Sequence, residues 1–402
     1  MPVWLDAIPE QSPKVARPDT RRWLIFLFVL LVTVMVAGAW FWEGPREGII
    51  FWFTLTGLPL CVWGLIFSLR RFAYKADQVG AGSWDLERQK LILSETRRGQ
   101  QPAWILDSTI EILAGQEGAT ISAIISRAIP VLGLVMRPGK LSPVYYAALP
   151  QNGRSPDASQ HYFIDTLTAR IAQTLRPLRE DLSCWLLIDC DTDKPEETVS
   201  ALTDKLSEQT GRMFSRISHE GLAGLDSWMD RAVRTPSVLV VIAVHLPVNK
   251  QEGGADAITS VVLANRPSLK NPGAVRIHRP EKGNSSALDK TLSRALLWAD
   301  TPADALSGGW ITGKGLTQGS AWNIACETNE VTFSLTDGLV IPDHVTGYAG
   351  IAAPWLCITL AQSAASLGGS LAVATQSPNE KDGAWVMVVK QDEEQKGFTG
   401  NV

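Results

Sequence analysis

The chain has 402 residues, 45% hydrophobic and 19% charged, with five cysteines and a formal net charge of −4. That length holds roughly two or three domains, or one large α/β unit. The acidic balance and the lack of a long Lys/Arg run argue against a nucleic-acid partner, and a mean hydropathy of +0.04 is low for a polytopic transporter.

The first 22 residues, with Pro2, Pro9, Pro13 and Pro18 among polar neighbours, read as a short disordered arm. From Trp23 to Trp42 there is no charge, and Ile49 to Leu69 is equally apolar, so each stretch can cross about 30 Å of hydrocarbon as a helix. Residues 23–70 are therefore expected to form a transmembrane hairpin, with Trp23, Trp40, Trp42 and Trp52 at the headgroup level. Arg21 and Arg22 precede the first span and Arg70, Arg71 and Lys75 follow the second, while the linker 43–48 has only Arg46. The positive-inside rule puts both termini and the remaining chain in the cytoplasm, which makes the protein a multi-pass protein of the inner membrane with the lipid bilayer as a partner. Neither span holds an ionisable side chain to mark an ion path; Gly57 and Pro59 can kink the second.

After a Gly-containing break, an amphipathic helix is expected around Trp84 to Arg97. The stretch 109–137 suits strands and short connections, with Arg127 and Pro130 against a third span. A helix-like run from His161 through Arg176 leads to a buried strand over 183–189, and Pro195, Glu196 and Glu197 open a helix to about Gln209. Strands follow at 237–245 and 257–264, then a helix at 288–298, a Gly-rich turn at Gly308-Gly309, a helix near 320–326, a long Ala-rich helix at 350–366 and paired strands at 371–375 and 384–389. This alternation predicts a layered α/β body over residues 71–402.

Few residues carry chemistry. Cys61 lies in an apolar run, and Cys184 and Cys190, six apart on one strand face, read with Cys326 and Cys357 as free thiols rather than a metal or disulfide set. The segment 308–314 (GGWITGK) fits G-x-x-x-x-G-K, but Gly315 replaces the Ser/Thr that would hold Mg²⁺, so it reads as a flexible turn. Asp189, Asp191 and Asp193 read as a solvated loop before a helix rather than a cation site. His219 and His278 lack partners at metal-ligand spacing and read as surface residues, and no G-x-S-x-G hydrolase elbow occurs.

In the last 220 residues the order of signals resembles the thiolase-like fold of ketoacyl synthases, in which two related halves pack helices between and around two mixed sheets. The likeness rests on the small-residue turn 253–257 before a strand, the helix at 288–298, the Gly/Thr-rich 309–315 and the loop-to-helix run 345–353. Such enzymes need a thiolate at a helix N-terminus and His or Asn groups that stabilise an oxyanion. Here 309–315 holds no His, Tyr348 stands where the second His is expected, and His344, four residues before it, is read as pointing elsewhere. The resemblance therefore implies a scaffold without its chemistry, and no catalytic, cofactor or metal residue is assigned.

The layout of two spans followed by a long soluble body, with segments such as Trp84-Asp85-Leu86-Glu87-Arg88, resembles the type VI secretion accessory proteins described as lipase adaptors. This resemblance implies a non-enzymatic adaptor whose partners are a protein effector, a lipase-type toxin, and a component of the secretion spike. The candidate partner-binding residues are Trp310, Trp322, Tyr348 and Trp355, aromatic and close to the two Gly-rich loops. The alternative is a membrane-bound thiolase-like acyl-transfer or acyl-binding enzyme; an immunity or scaffold role is the third.

Overall fold

The computed structural model describes residues 5–391, apart from 45, 47, 116, 127–128, 138–141, 151–155, 233–234, 268–273, 377 and 381. Arg127, part of the argument against a third span, lies outside the described residues. The chain divides into two compact units, Trp4–Glu95 and Thr96 onward.

In the first unit, helix Thr20–Phe41 is paired with a second helical segment that begins at Ile49, and both are long and apolar enough to cross a membrane. Asp19 caps the first helix by accepting from the Arg21 N–H at 3.0 Å. The hairpin closes at one end where Gly38 meets the Leu55 side chain, and at the other where Trp63 Nε1 donates to the Trp23 carbonyl at 2.9 Å. The expected kink is a π-helical turn, Phe53–Gly57, in which the Leu58 N–H reaches back five residues to the Phe53 carbonyl. Pro59 explains it: its ring crowds the preceding turn and it brings no N–H, so one widened turn absorbs the mismatch.

Two expectations fail in this unit. Helix Leu58–Gly99 runs unbroken through Gly80 and Gly82, so no break precedes Trp84; propensity costs of about 1 kcal/mol per glycine are outweighed by the helix on either side. The arm is also not free along its whole length. Ser12 donates from its backbone N–H and its hydroxyl to the Asp85 carboxylate at 2.9 and 3.0 Å, and Arg88 Nε donates to the Pro9 carbonyl at 2.6 Å. Prolines suit this strap, because an extended chain without helix propensity can lie along a helix groove.

In the second unit the strands, in chain order, are β1 Ala103–Ile112, β2 Gly133–Val135, β3 Val144–Ala147, β4 Ser183–Asp191, β5 Phe214–Arg216, β6 Ser237–His245, β7 Gly254–Ala255, β8 Ala257–Ala264, β9 Val275–Ile277, β10 Glu281–Asn284, β11 Leu306–Thr312, β12 Leu339–Val340, β13 Ser370–Gln376 and β14 Gly383–Gln391. Among the described residues, one mixed sheet runs β12-β11-β13-β14-β9-β1-β8-β6-β4-β5 with β10 beside β14, and β2-β3-β7 form a small second sheet. Within the large sheet one pattern occurs twice. β4 is parallel to both β5 and β6, with β6 antiparallel to β8; β11 is parallel to both β12 and β13, with β13 antiparallel to β14.

Side-chain alternation explains why these strands read as unbroken apolar runs. Val238, Val240, Ile242 and Val244 of β6 face an outer core with helices Pro156–Leu175 and Pro195–Thr210, whereas Leu239, Val241 and Ala243 face a central core with helices Gly221–Arg231 and Ala353–Ala365. β14 repeats this: Ala384, Val386 and Val388 face helices Asp289–Ala299 and Ala321–Thr328, while Trp385, Met387 and Val389 face the same central layer. Both sheet halves are thus covered on both sides, giving helix, sheet, helix, sheet, helix in layers. This is the layered α/β body expected from the sequence.

Local departures are informative. The stretch 109–137 includes helix Glu117–Ile125, whose Ile121 and Ile124 enter the central core, where strands were expected. Gly308 and Gly309 lie inside β11 rather than in a turn: a Cβ at Gly308 would stand 2.9 Å from the Gly338 carbonyl, so their smallness serves strand packing. His278 is buried at 4% exposure, not on the surface, and burial pushes its pKa down to about 3.

Candidate functional site

Parallel strands with helices on both faces leave a crevice beyond their carboxyl ends, because the chain must leave each strand there and cross to a helix. β4 and β6 end together, with Asp191 opposite His245, and a cleft of about 1440 Å³ opens at that edge. Its lining includes Asp189, Asp191, Glu220, His245, Tyr348 and Trp385. Helix Gly221–Arg231 points its N-terminus here, and Gly350 and Pro354, near the start of the second central helix, complete the wall.

Two carboxylates of β4, Asp189 and Asp191, organise this end. Asp189 is buried, its Oδ1 accepting from the Gly221 N–H at 2.9 Å and its Oδ2 from Trp355 Nε1 at 2.8 Å. Burial raises its pKa to about 6, against the two donors, which pull it down; nearby Glu220 adds to the rise. It was expected in a solvated loop; it is instead a strand residue that ties the two central helices to β4. Asp191 pairs with His245, whose Nδ1 stands 3.0 Å from Oδ2, and burial lowers the imidazole pKa despite that carboxylate. The ring packs against Gly350, where φ is +51° and a Cβ would come within 2.1 Å of it, so only glycine is compatible there.

The second half shows the same device. Asp343 is half-buried, accepting from the Thr312 hydroxyl at 2.7 Å and the Gly313 N–H at 2.8 Å; desolvation raises its pKa. The two small-residue runs singled out in the sequence meet beside it: the Tyr348 N–H donates to the Gly253 carbonyl, and the Ala255 N–H to the Tyr348 carbonyl. Gly347, at φ +79°, permits this approach, since a Cβ there would lie 2.9 Å from the Gly254 carbonyl. Asp256 anchors the same turn by accepting from the Tyr146 hydroxyl, the Leu149 N–H and Lys250 Nζ.

Of the aromatic candidates, Tyr348 lines the cleft, half-buried, with its pKa raised to about 12 by burial and by Asp343. Trp310 and Trp355 are buried in the central core and Trp322 in the outer core of the second half, so their indoles present no surface. Asp189, Glu220 and His245 were not singled out for the cleft, because spacing alone does not show that a strand end, a helix start and a distant glycine converge. His344 is exposed and outside the lining.

The thiols are not placed as nucleophiles. Cys190 lies on the cleft side of β4's end, 3.6 Å from the Thr192 hydroxyl, and burial raises its pKa, as it does for Cys184 at the other end of the strand. Cys326 is pushed up to about 12 and Cys357, enclosed in the central helix Ala353–Ala365, is raised well above the ordinary thiol value, both by burial. The segment 308–314 does not form a phosphate loop: its first five residues lie within β11, and the helix that begins at its end, Lys314–Thr317, is a single turn.

No family model matches the sequence, and no curated protein does. The fold is shared with solved condensing-enzyme structures. The ishigamide ketosynthase/chain length factor is 13% identical with a TM-score of 0.50, over 72% of this chain and 99% of that one. The ketosynthase AntDE, solved with the type II acyl-carrier protein AntF, is 11% identical with a TM-score of 0.50, over 72% of this chain and 99% of that one. At such identity the likeness defines the body as thiolase-like and nothing narrower.

Proposed function

We propose that this protein is a membrane-tethered, non-catalytic adaptor that holds a protein effector of lipase type and presents it to a type VI secretion spike. Two helices long and apolar enough to cross a membrane support the anchor, and the arginines flanking them favour a body on the cytoplasmic side. The observation that carries the non-catalytic reading is that the backbone donor at the helix start facing the cleft is already occupied. Acyl-transfer chemistry needs free N–H groups where negative charge develops. Gly221 N–H, at the start of a central helix and in the cleft wall, is spent on Asp189. An oxyanion there would meet a carboxylate instead of a donor. The cleft's volume also exceeds the roughly 300–1,000 Å³ of small-molecule pockets, which favours a protein segment as guest.

The alternative, an acyl-transfer or acyl-binding enzyme, is favoured by the ketosynthase-like fold and by the open cleft. One experiment separates them. The full chain in detergent is mixed with a lipase-type effector, or with acyl-loaded carrier protein, and each mixture is analysed by co-elution and intact mass. Co-elution with the effector, weakened by Glu220→Arg, supports the adaptor. An acyl mass increment on the chain that Cys190→Ser abolishes overturns it.

A further inference from the structure

Helix Leu58–Gly99 has two opposite faces with different fates. Trp63, Asp85 and Arg88 lie on one side, where they bond the first span and the N-terminal strap through Trp23, Ser12 and Pro9. At about 100° per residue, the other side carries Leu58, Val62, Leu65, Leu69, Phe72, Ala76, Val79, Ser83, Leu86, Lys90 and Leu93, spaced alternately four and three apart. Among the described residues of the first unit, nothing covers it. Beyond the arginine pair that ends the span, Phe72 is 75%, Val79 67%, Leu86 53% and Leu93 52% exposed, on a helix that also carries Asp77, Asp85, Glu87 and Arg88.

We propose that this stripe is the seam of a parallel, in-register two-stranded coiled coil formed with a second copy of this chain. The period is the reason. A seven-residue repeat drifts about 20° per heptad around a straight helix, so only a second helix that supercoils left-handedly can follow it from end to end. The alternate seam positions outside the span are Ala76, Ser83 and Lys90, and Gly80 and Gly82 flank them, so two such helices can approach closely. Lys90 is matched by Glu87 at 2.7 Å, and a single charged residue in a seam selects register and dimer over higher states. The second copy follows from the anchor. Two copies inserted in one membrane with one orientation present the same stripe at the same depth, running the same way, which is the self-complementary contact of a two-fold dimer.

The test is disulfide trapping of the full chain in membrane vesicles, in a Cys61→Ser background, with single exposed cysteines introduced as Val79→Cys, Leu86→Cys, Leu93→Cys or Asp77→Cys. Because a disulfide forms only where Cβ atoms approach closely, the three seam variants are expected to trap dimer at least about tenfold faster than Asp77→Cys. Trapping at one seam position only would mean an antiparallel crossing, and equal trapping at Asp77 would mean random collision; either overturns the proposal. As a second readout, Leu86→Asp with Leu93→Asp is expected to convert the detergent-extracted dimer to monomer by light scattering. A monomeric parent chain also overturns it.

Discussion

The two halves of the body repeat one order of strands and helices, yet their central helices are built differently. Gly221–Arg231 buries Leu222, Leu225 and Trp228 on one side and turns Asp226 and Asp230 toward Arg279, whose guanidinium is only 4% exposed. Ala353–Ala365 has no charged residue and is buried at nearly every position. A shared topology therefore dictates where each helix lies and how deeply, and leaves its chemistry open. Charge survives in the central layer only where a fixed partner stands opposite it.

The largest effect expected tests that last statement. Arg279→Ala leaves Asp226 and Asp230 buried and without their main counter-charge; it should cost about 3–5 kcal/mol, read as the loss of thermal midpoint of the full chain in detergent. Arg279→Met together with Asp226→Leu and Asp230→Leu, which makes this helix as apolar as its counterpart, should restore most of the loss. If the triple variant is no better than Arg279→Ala, the charges are required by the fold, and the halves differ more deeply than in side-chain choice.

A second effect comes from Asp189, whose burial raises its pKa to about 6 in the folded chain from an ordinary 3.8. A carboxyl with a raised folded pKa binds more protons folded than unfolded between those values. Its contribution is therefore best below about pH 4 and falls as pH rises through about 6, by about 3 kcal/mol in all. Asp189→Asn should remove that slope, so the difference in midpoint between variant and parent grows from pH 4.5 to pH 7.5 in the variant's favour. Asp343, also raised, acts with the same sign and remains in both proteins. A difference that does not change with pH would mean that Asp189 titrates normally.

The paired carboxylates also allow a matched test of the halves. Trp355→Phe removes one donor from Asp189, and Thr312→Val removes one from Asp343; each should cost about 1–3 kcal/mol by leaving a desolvated carboxylate short of a partner. Similar losses would show that the two ties are equivalent. A loss confined to one would assign the structural work to that half.

The sequence carried the body's layering well, because strands buried on both faces must be apolar throughout: 237–245 and 257–264 are read to the residue. The site was far less legible. Its contributors are a strand end, a helix start and a glycine some 160 positions away, held by hydrogen bonds such as Trp355 to Asp189 that no periodicity announces. Tyr348 lines the cleft, whereas Trp310, Trp322 and Trp355, drawn from the same Gly-rich surroundings in sequence, are buried because their strand or helix points them inward. The arm, too, looks unstructured by composition, and its order depends on Asp85 and Arg88, more than seventy residues ahead.

The smallest effect concerns the thiols, and it bears directly on whether the cleft has a nucleophile. Thiolates react, thiols do not, and burial raises the pKa of Cys184, Cys190, Cys326 and Cys357 alike. At pH 7.5 iodoacetamide should therefore label the body more slowly than it labels a free cysteine. Cys190, half-buried at the cleft, should lead, and Cys357 should stay unmodified until the chain unfolds. An activated cysteine would reverse this order, with Cys190 labelled faster than the free amino acid and its rate levelling off below pH 7. That result would mean the Asp189 and Asp191 carboxylates beside it do not set its charge state, and that the two halves differ because one kept a reactive centre.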